Sequence, residues 1–259
     1  MNAAHRQIRI IAIGAGLLCS LCLFGFSFVQ NKIWMAVFLG VLLIGLLFLY
    51  WIVVRVGMGG WYGLLSVVAT AVAFTALISL LEWKIALVLL SMLSGIVIGF
   101  LFRWQGIAMS GEIYEKKPFR RMIMMLWVFD AYALQTTLFA FMLFFTFLPF
   151  WLVVLLSAAL FGWISGMVWQ MYFDISLRLF LLWMLFIGLL MSEIVWVIAL
   201  LPFGYAVSGL VSTWIWYVLQ LLLRFHFTKQ GILWKKQRIF LIANACLFFI
   251  FFLFVFRWI

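Results

Sequence analysis

Two carboxylates sit where a carboxylate is costly. Asp130 interrupts "MIMMLWVFDAYALQTT" and Glu193 interrupts "GLLMSEIVW", and neither stretch supplies a lysine or arginine at the same depth. On membrane-insertion scales an ionised acid near the middle of a bilayer costs at least about 2.5–3.5 kcal/mol. Each acid is therefore expected to be protonated, hydrogen-bonded or facing water. The chemistry open to such groups is binding and release of protons or small cations, as in transporters. The alternative is a neutral acid that hydrogen-bonds across helices and holds their register. Thr137 lies two turns from Asp130 on the same face, Gln135 and Thr136 add polarity to that span, and Ser192 adjoins Glu193. At 1.5 Å of rise per residue, Asp130 falls about 12 Å into its span and Glu193 about 13 Å below the outer surface. Asp130, Thr137 and Glu193 form the candidate intramembrane site.

Little else in the chain could do chemistry. His5 and His226 have no companion at metal-ligand spacing such as HExxH. "GWISG" (162–166) has one residue too many between glycine and serine for an intramembrane serine-protease motif. With no intramembrane histidine to act as base, acyl transfer fails. Glycine-rich phosphate loops and the paired aspartates of lipid-linked transferases are absent. An enzyme, a lipid-modifying one included, is the least favoured class, and no catalytic residue, metal site or cofactor is expected. Cys19 and Cys22 form a CxxC inside an apolar helix, with no neighbouring charge to lower a thiol pKa. They read as small packing hydrophobes, and Cys246 as a single thiol.

The elements that must position the acids follow from composition. The chain of 259 residues is 70% hydrophobic and 9% charged, against about 25% charged in soluble domains. There are too few polar residues to make a water-facing surface, so lipid is the solvent. Spans must then be helices or a closed barrel, because no water satisfies backbone groups in hydrocarbon. Barrel strands would alternate with period two. Here the runs stay apolar on every face for about 20 residues, the length a helix needs to cross. Nine spans are expected: 10–29, 33–54, 61–81, 85–102, 122–148, 151–172, 177–201, 203–223 and 239–256. The first is too long for a signal-peptide core and lacks a cleavage pair, so it is read as retained. The fold class is an all-α polytopic helical membrane bundle of about nine transmembrane helices, with long extramembrane pieces only at 103–121 and 224–238.

Cations set the orientation. With the N-terminus inside, Arg6, Arg9, Arg55, Arg103, Lys116, Lys117, Arg120, Arg121, Arg178, Arg224, Lys229, Lys235, Lys236 and Arg238 are cytoplasmic. Only Lys32, Lys84 and Arg257 are external. The basic loops around Lys116, Lys117, Arg120 and Arg121, and around Lys235, Lys236 and Arg238, are chiefly topology determinants that also attract anionic headgroups of the bilayer. They account for the net charge of +11 without nucleic acid. The C-terminus is then external, and the location a cell (cytoplasmic) membrane.

Similar pieces recur along the chain. "RWQGI" (103–107) and "KQGILWKKQR" (229–238) share Gln-Gly-Ile, and "KKPFR" (116–120) parallels "KKQR" (235–238). The chain can be read as two parallel four-helix units, 1–121 and 122–238, followed by a ninth helix, 239–259. Parallel repeats are a recurring transporter plan. Small residues at spacing four let helices approach closely in lipid. Three stripes qualify: Ser91, Gly95 and Gly99; Ala158, Gly162 and Gly166; Gly204, Ser208 and Ser212. They place the fourth, sixth and eighth spans at the centre. The ninth, "CLFFIFFLFVF" (246–256), is bulky all round and is expected to face lipid or a membrane-protein partner.

"KPFRR" (117–121) and "LPFGYAVSGLV…RFHFTKQGIL" (201–233) resemble uncharacterised polytopic membrane proteins of uncultivated bacteria. The resemblance implies a bacterial cytoplasmic membrane and no activity. The favoured function is a non-catalytic scaffold or subunit of a membrane complex. The alternative is a small proton- or cation-linked permease that uses Asp130 and Glu193.

Overall fold

A computed structural model describes residues 3–29, 31–55, 61–109, 116–145, 147–173, 176–226 and 234–255. Nine helices account for the secondary structure of these residues, with no strand among them. They are α1 (Ala3–Phe28), α2 (Lys32–Arg55), α3 (Trp61–Leu80), α4 (Lys84–Met109), α5 (Lys116–Phe144), α6 (Phe150–Gln170), α7 (Leu177–Ala199), α8 (Tyr205–His226) and α9 (Trp234–Val255). The first eight are long and apolar enough to cross a membrane; the apolar part of α9 is shorter, Arg238–Phe251. Their outward faces are as apolar as their inward ones. Ile44, Leu185 and Met125 are 70–74% exposed, which water would penalise and lipid does not. The protein is a multi-pass integral membrane protein.

The helices overrun the expected spans, and this corrects the two basic loops. Lys116, Lys117, Arg120 and Arg121 lie in the first turns of α5, and Lys235, Lys236 and Arg238 in the first turns of α9. Lysine and arginine are good helix formers, and a helix of 29 residues such as α5 outruns the roughly 30 Å of hydrocarbon. Pro118 is no obstacle, because a first-turn N–H has no intrahelical acceptor to lose.

The chain divides into two compact units, Met1–Trp214 and Ile215–Ile259. In the first unit, α1 packs on α2 and α4, α5 packs on α3 and α6, and α6 packs on α7. Helix α3 touches α1, α2, α4 and α5. Of the three spans expected at the centre, α6 is the most buried of all eight, whereas α4 and α8 are less buried than α3 and α5. A small-residue stripe marks tight approach to a neighbour, which is a different property from centrality. In the second unit the described side chains of α9 are largely exposed, Ile239 at 77% and Phe249 at 63% among them.

Two of the stripes meet partners the sequence did not name. A methyl on Gly95 would lie 2.5 Å from the Gly16 carbonyl oxygen, and one on Gly99 would lie 3.1 Å from that of Ala12. Helices α1 and α4 therefore touch backbone to backbone. Ser91, one turn before Gly95, is buried and donates its hydroxyl to the Leu87 carbonyl. Likewise a methyl on Gly162 would meet the Met184 carbonyl oxygen at 2.9 Å, and one on Gly188 would meet that of Ala158 at 3.1 Å. Gly166 is filled by the Met184 and Phe180 side chains. The third stripe needs correction. Ser208 and Ser212 are buried, but Gly204 precedes α8, is exposed and faces open space. The close approach is made by Gly209, against Thr136 of α5.

Candidate functional site

Helix α5 carries Asp130 into the interior because its middle is buried on every side. Asp130, Ala131, Ala133, Gln135, Thr136, Phe139 and Ala140 are all buried. This explains the unusual polarity of the segment, which would be costly facing lipid but is tolerable facing other helices. Asp130 is 1% exposed. One carboxylate oxygen, Oδ2, accepts a hydrogen bond from the Thr70 hydroxyl on α3 at 3.0 Å. Beside this tie, Phe74 and Phe129 meet with tilted rings, 4.8 Å between centroids. The second oxygen, Oδ1, has no hydrogen-bond partner among the described residues.

Other polar atoms of the same interior also have no partner among the described residues. They are both amide atoms of Gln135, the Thr136 hydroxyl and the Thr213 hydroxyl of α8. At about 100° per residue, Gln135 and Thr136 point away from the Asp130 face. Their burial reflects helices packed all round α5, not one convergent pocket.

The expected site does not assemble. Thr137 is buried, but its hydroxyl donates to the Ala133 carbonyl of its own helix at 2.8 Å. It lines a cavity of about 570 Å³ with Leu42, Thr75 and Leu160, among others. Thr75 likewise returns its hydroxyl to Ala71, so the cavity walls behave as apolar. Glu193 is exposed on α7, with Leu189 and Val197 exposed one turn to either side. Because α7 ends at Ala199, Glu193 is about 9 Å from the helix end at 1.5 Å per residue, shallower than expected. Ser192 donates to the Leu189 carbonyl at 2.7 Å and does not serve the acid. One acid faces the interior and the other the exterior.

The interaction missed in the sequence is Thr70, whose only signal was a hydroxyl in the small-residue run "VVATAVA". A second missed tie is Gln105, placed outside the membrane by the expected end of its span but buried within α4. Its amide nitrogen donates to the Gly63 carbonyl at 2.9 Å and to the Ser66 hydroxyl at 3.4 Å. Cys19 and Cys22 are buried free thiols, and Cys19 contacts the Ser94 hydroxyl at 3.6 Å. Among the described residues no three His, Cys, Asp or Glu side chains converge on a point that could hold a metal. Comparison with protein-family models, curated proteins and solved structures finds no match.

Proposed function

We propose that the protein is a non-catalytic subunit of a membrane complex, and that the outer face of α7 around Glu193 receives a transmembrane helix of its partner. The observation that carries this reading is Glu193 itself. It is a carboxylate on an exposed stripe of Leu189, Trp196 and Val197 in a membrane-crossing helix. Left in lipid, such a group costs on the order of 2.5–3.5 kcal/mol at mid-membrane and less near the interface. A partner helix carrying a lysine, arginine or amide at that depth would remove the cost, since polar groups hydrogen-bond across helices in membranes. A second copy fits less well, because a two-fold axis through this face would set Glu193 against Glu193. The excess of cations in the pieces assigned to one side supports a cytoplasmic N-terminus.

The test is site-specific photo-crosslinking in native membranes. A photoreactive residue at position 189 should label one membrane protein, and Glu193→Leu should abolish the label without unfolding the chain. Labelling of lipid alone, with Glu193→Leu more stable and the assembly unchanged in size, would leave Glu193 with no partner and end this reading.

A second reading, a proton- or cation-linked permease, is favoured by the interior atoms of Asp130 and Gln135 that have no partner among the described residues. The opposite facing of the two acids removes the shared path, so this reading rests on Asp130 alone. Proton flux into proteoliposomes that Asp130→Asn abolishes would support it.

A further inference from the structure

The close crossing of α1 and α4 leaves a groove of about 560 Å³ on the membrane-facing side. Its floor is Gly16, Gly95 and Gly99, where the two helix backbones meet, and its walls include Ile13, Leu17 and Ile96. Those three wall residues are 57–64% exposed. At one end, and only there, the lining is charged: Arg9 from the start of α1 and Arg103 from the last turns of α4. Both arginines are exposed, and no described acid lines the groove with them.

The dimensions match one leaflet. From Arg9 to Ser20 along α1, and from Arg103 to Met92 along α4, the lining runs about 16 Å at 1.5 Å per residue. Half of the roughly 30 Å hydrocarbon core is about 15 Å. When the two cations lie at headgroup depth, the apolar groove ends near the bilayer midplane. A partner helix would contact both leaflets, whereas this groove serves only one.

We propose that the α1–α4 groove binds one anionic phospholipid, with its phosphate between Arg9 and Arg103 and an acyl chain along the glycine floor. Guanidinium groups suit this task because their forked donors match phosphate oxygens two at a time. A zwitterionic lipid offers the same phosphate, but its own ammonium competes for it. The two positive charges therefore select for net negative charge. The binding is independent of the partner helix proposed at Glu193.

The experiment is lipid titration of the purified full chain in mild detergent, read by native mass spectrometry, with phosphatidylglycerol and phosphatidylcholine of equal chain length. The first phosphatidylglycerol should bind about 10- to 30-fold more tightly than phosphatidylcholine. The pair Arg9→Gln and Arg103→Gln should erase that preference. The pair Arg120→Gln and Arg121→Gln, equally exposed cations on α5, should keep it. Millimolar inorganic phosphate should not displace the lipid, because it lacks the acyl chain. Three results would each overturn the proposal: equal affinity for the two lipids, equal loss in both double variants, or a photoreactive residue at position 96 that labels protein and not lipid.

Discussion

Replacing Gly95 by alanine tests how closely α1 and α4 depend on each other. A single methyl added there would sit 2.5 Å from the Gly16 carbonyl oxygen and 2.7 Å from Ser20 Cβ. The first neighbour is backbone and cannot swing aside. Ordinary contact begins near 3.4 Å, so the helices must part by roughly 1 Å, which forfeits a quarter to a half of the dispersion well for pairs along the crossing. In lipid no hydrophobic force opposes that parting. Overpacking costs about 1–3 kcal/mol, and alanine's better helix propensity returns about 0.8–1.0. Two contacts this short, at 2.5 and 2.7 Å, put the cost in the upper half of that range, so the net expectation for Gly95→Ala is a loss of about 1–2 kcal/mol. Gly14→Ala, on α1 with nothing within 4 Å, should gain up to about 1 kcal/mol from propensity alone. Gly209→Ala should be harmful, because the methyl meets the Thr136 backbone at 2.9 Å, whereas Gly204→Ala should be nearly silent. Unfolding in mixed micelles with added sodium dodecyl sulfate, followed by tryptophan fluorescence, separates these cases. A Gly95→Ala protein as stable as wild type, or a Gly14→Ala protein equally weakened, would refute the backbone-contact argument.

Thr70→Val and Asp130→Asn should each cost little, and their double-mutant cycle should give a coupling near 0.6 kcal/mol, the average for interhelical hydrogen bonds in membranes; a coupling of zero would mean the 3.0 Å bond does not form in the bilayer. Topology is checked by reporters, with one inserted near Ser110 expected on the cytoplasmic side and one fused after Ile259 on the external side. Finding both on one side would mean that α9 does not cross, since its described apolar part is only Arg238–Phe251.

What the sequence made legible depended on how local the physics was. The crossing helices were readable because lipid demands long apolar runs, and the Gly95 and Gly162 faces because spacing four puts small residues on one side. Their partners were not, since a stripe names a face and leaves open which helix arrives there; Ala12, Gly16 and Ser20 form a matching stripe on α1 that went unread. The third stripe failed by geometry. Gly204 stands before the helix begins, while Gly209, next to Ser208, is turned about 100° from it. Asp130 was found as a costly residue, but its partner Thr70 is 60 positions away, and only the docking of α3 on α5 brings them together. Glu193 was grouped with Asp130 because depth along a helix can be counted, whereas the direction a side chain faces is set by the neighbours.

The all-round burial of α5 bears on how the chain is made. It is the least apolar of the eight candidate spans, and it carries an aspartate whose lone entry into lipid is penalised. A ribosome delivers α3 first, so Thr70 is already in the bilayer when Asp130 emerges. Insertion of α5 is then expected to be easier after the arrival of α3, and a chain that lost α3 should insert α5 less efficiently. The order of the spans along the gene is then also an order of assembly, in which an early helix acts as the receptor for a later one.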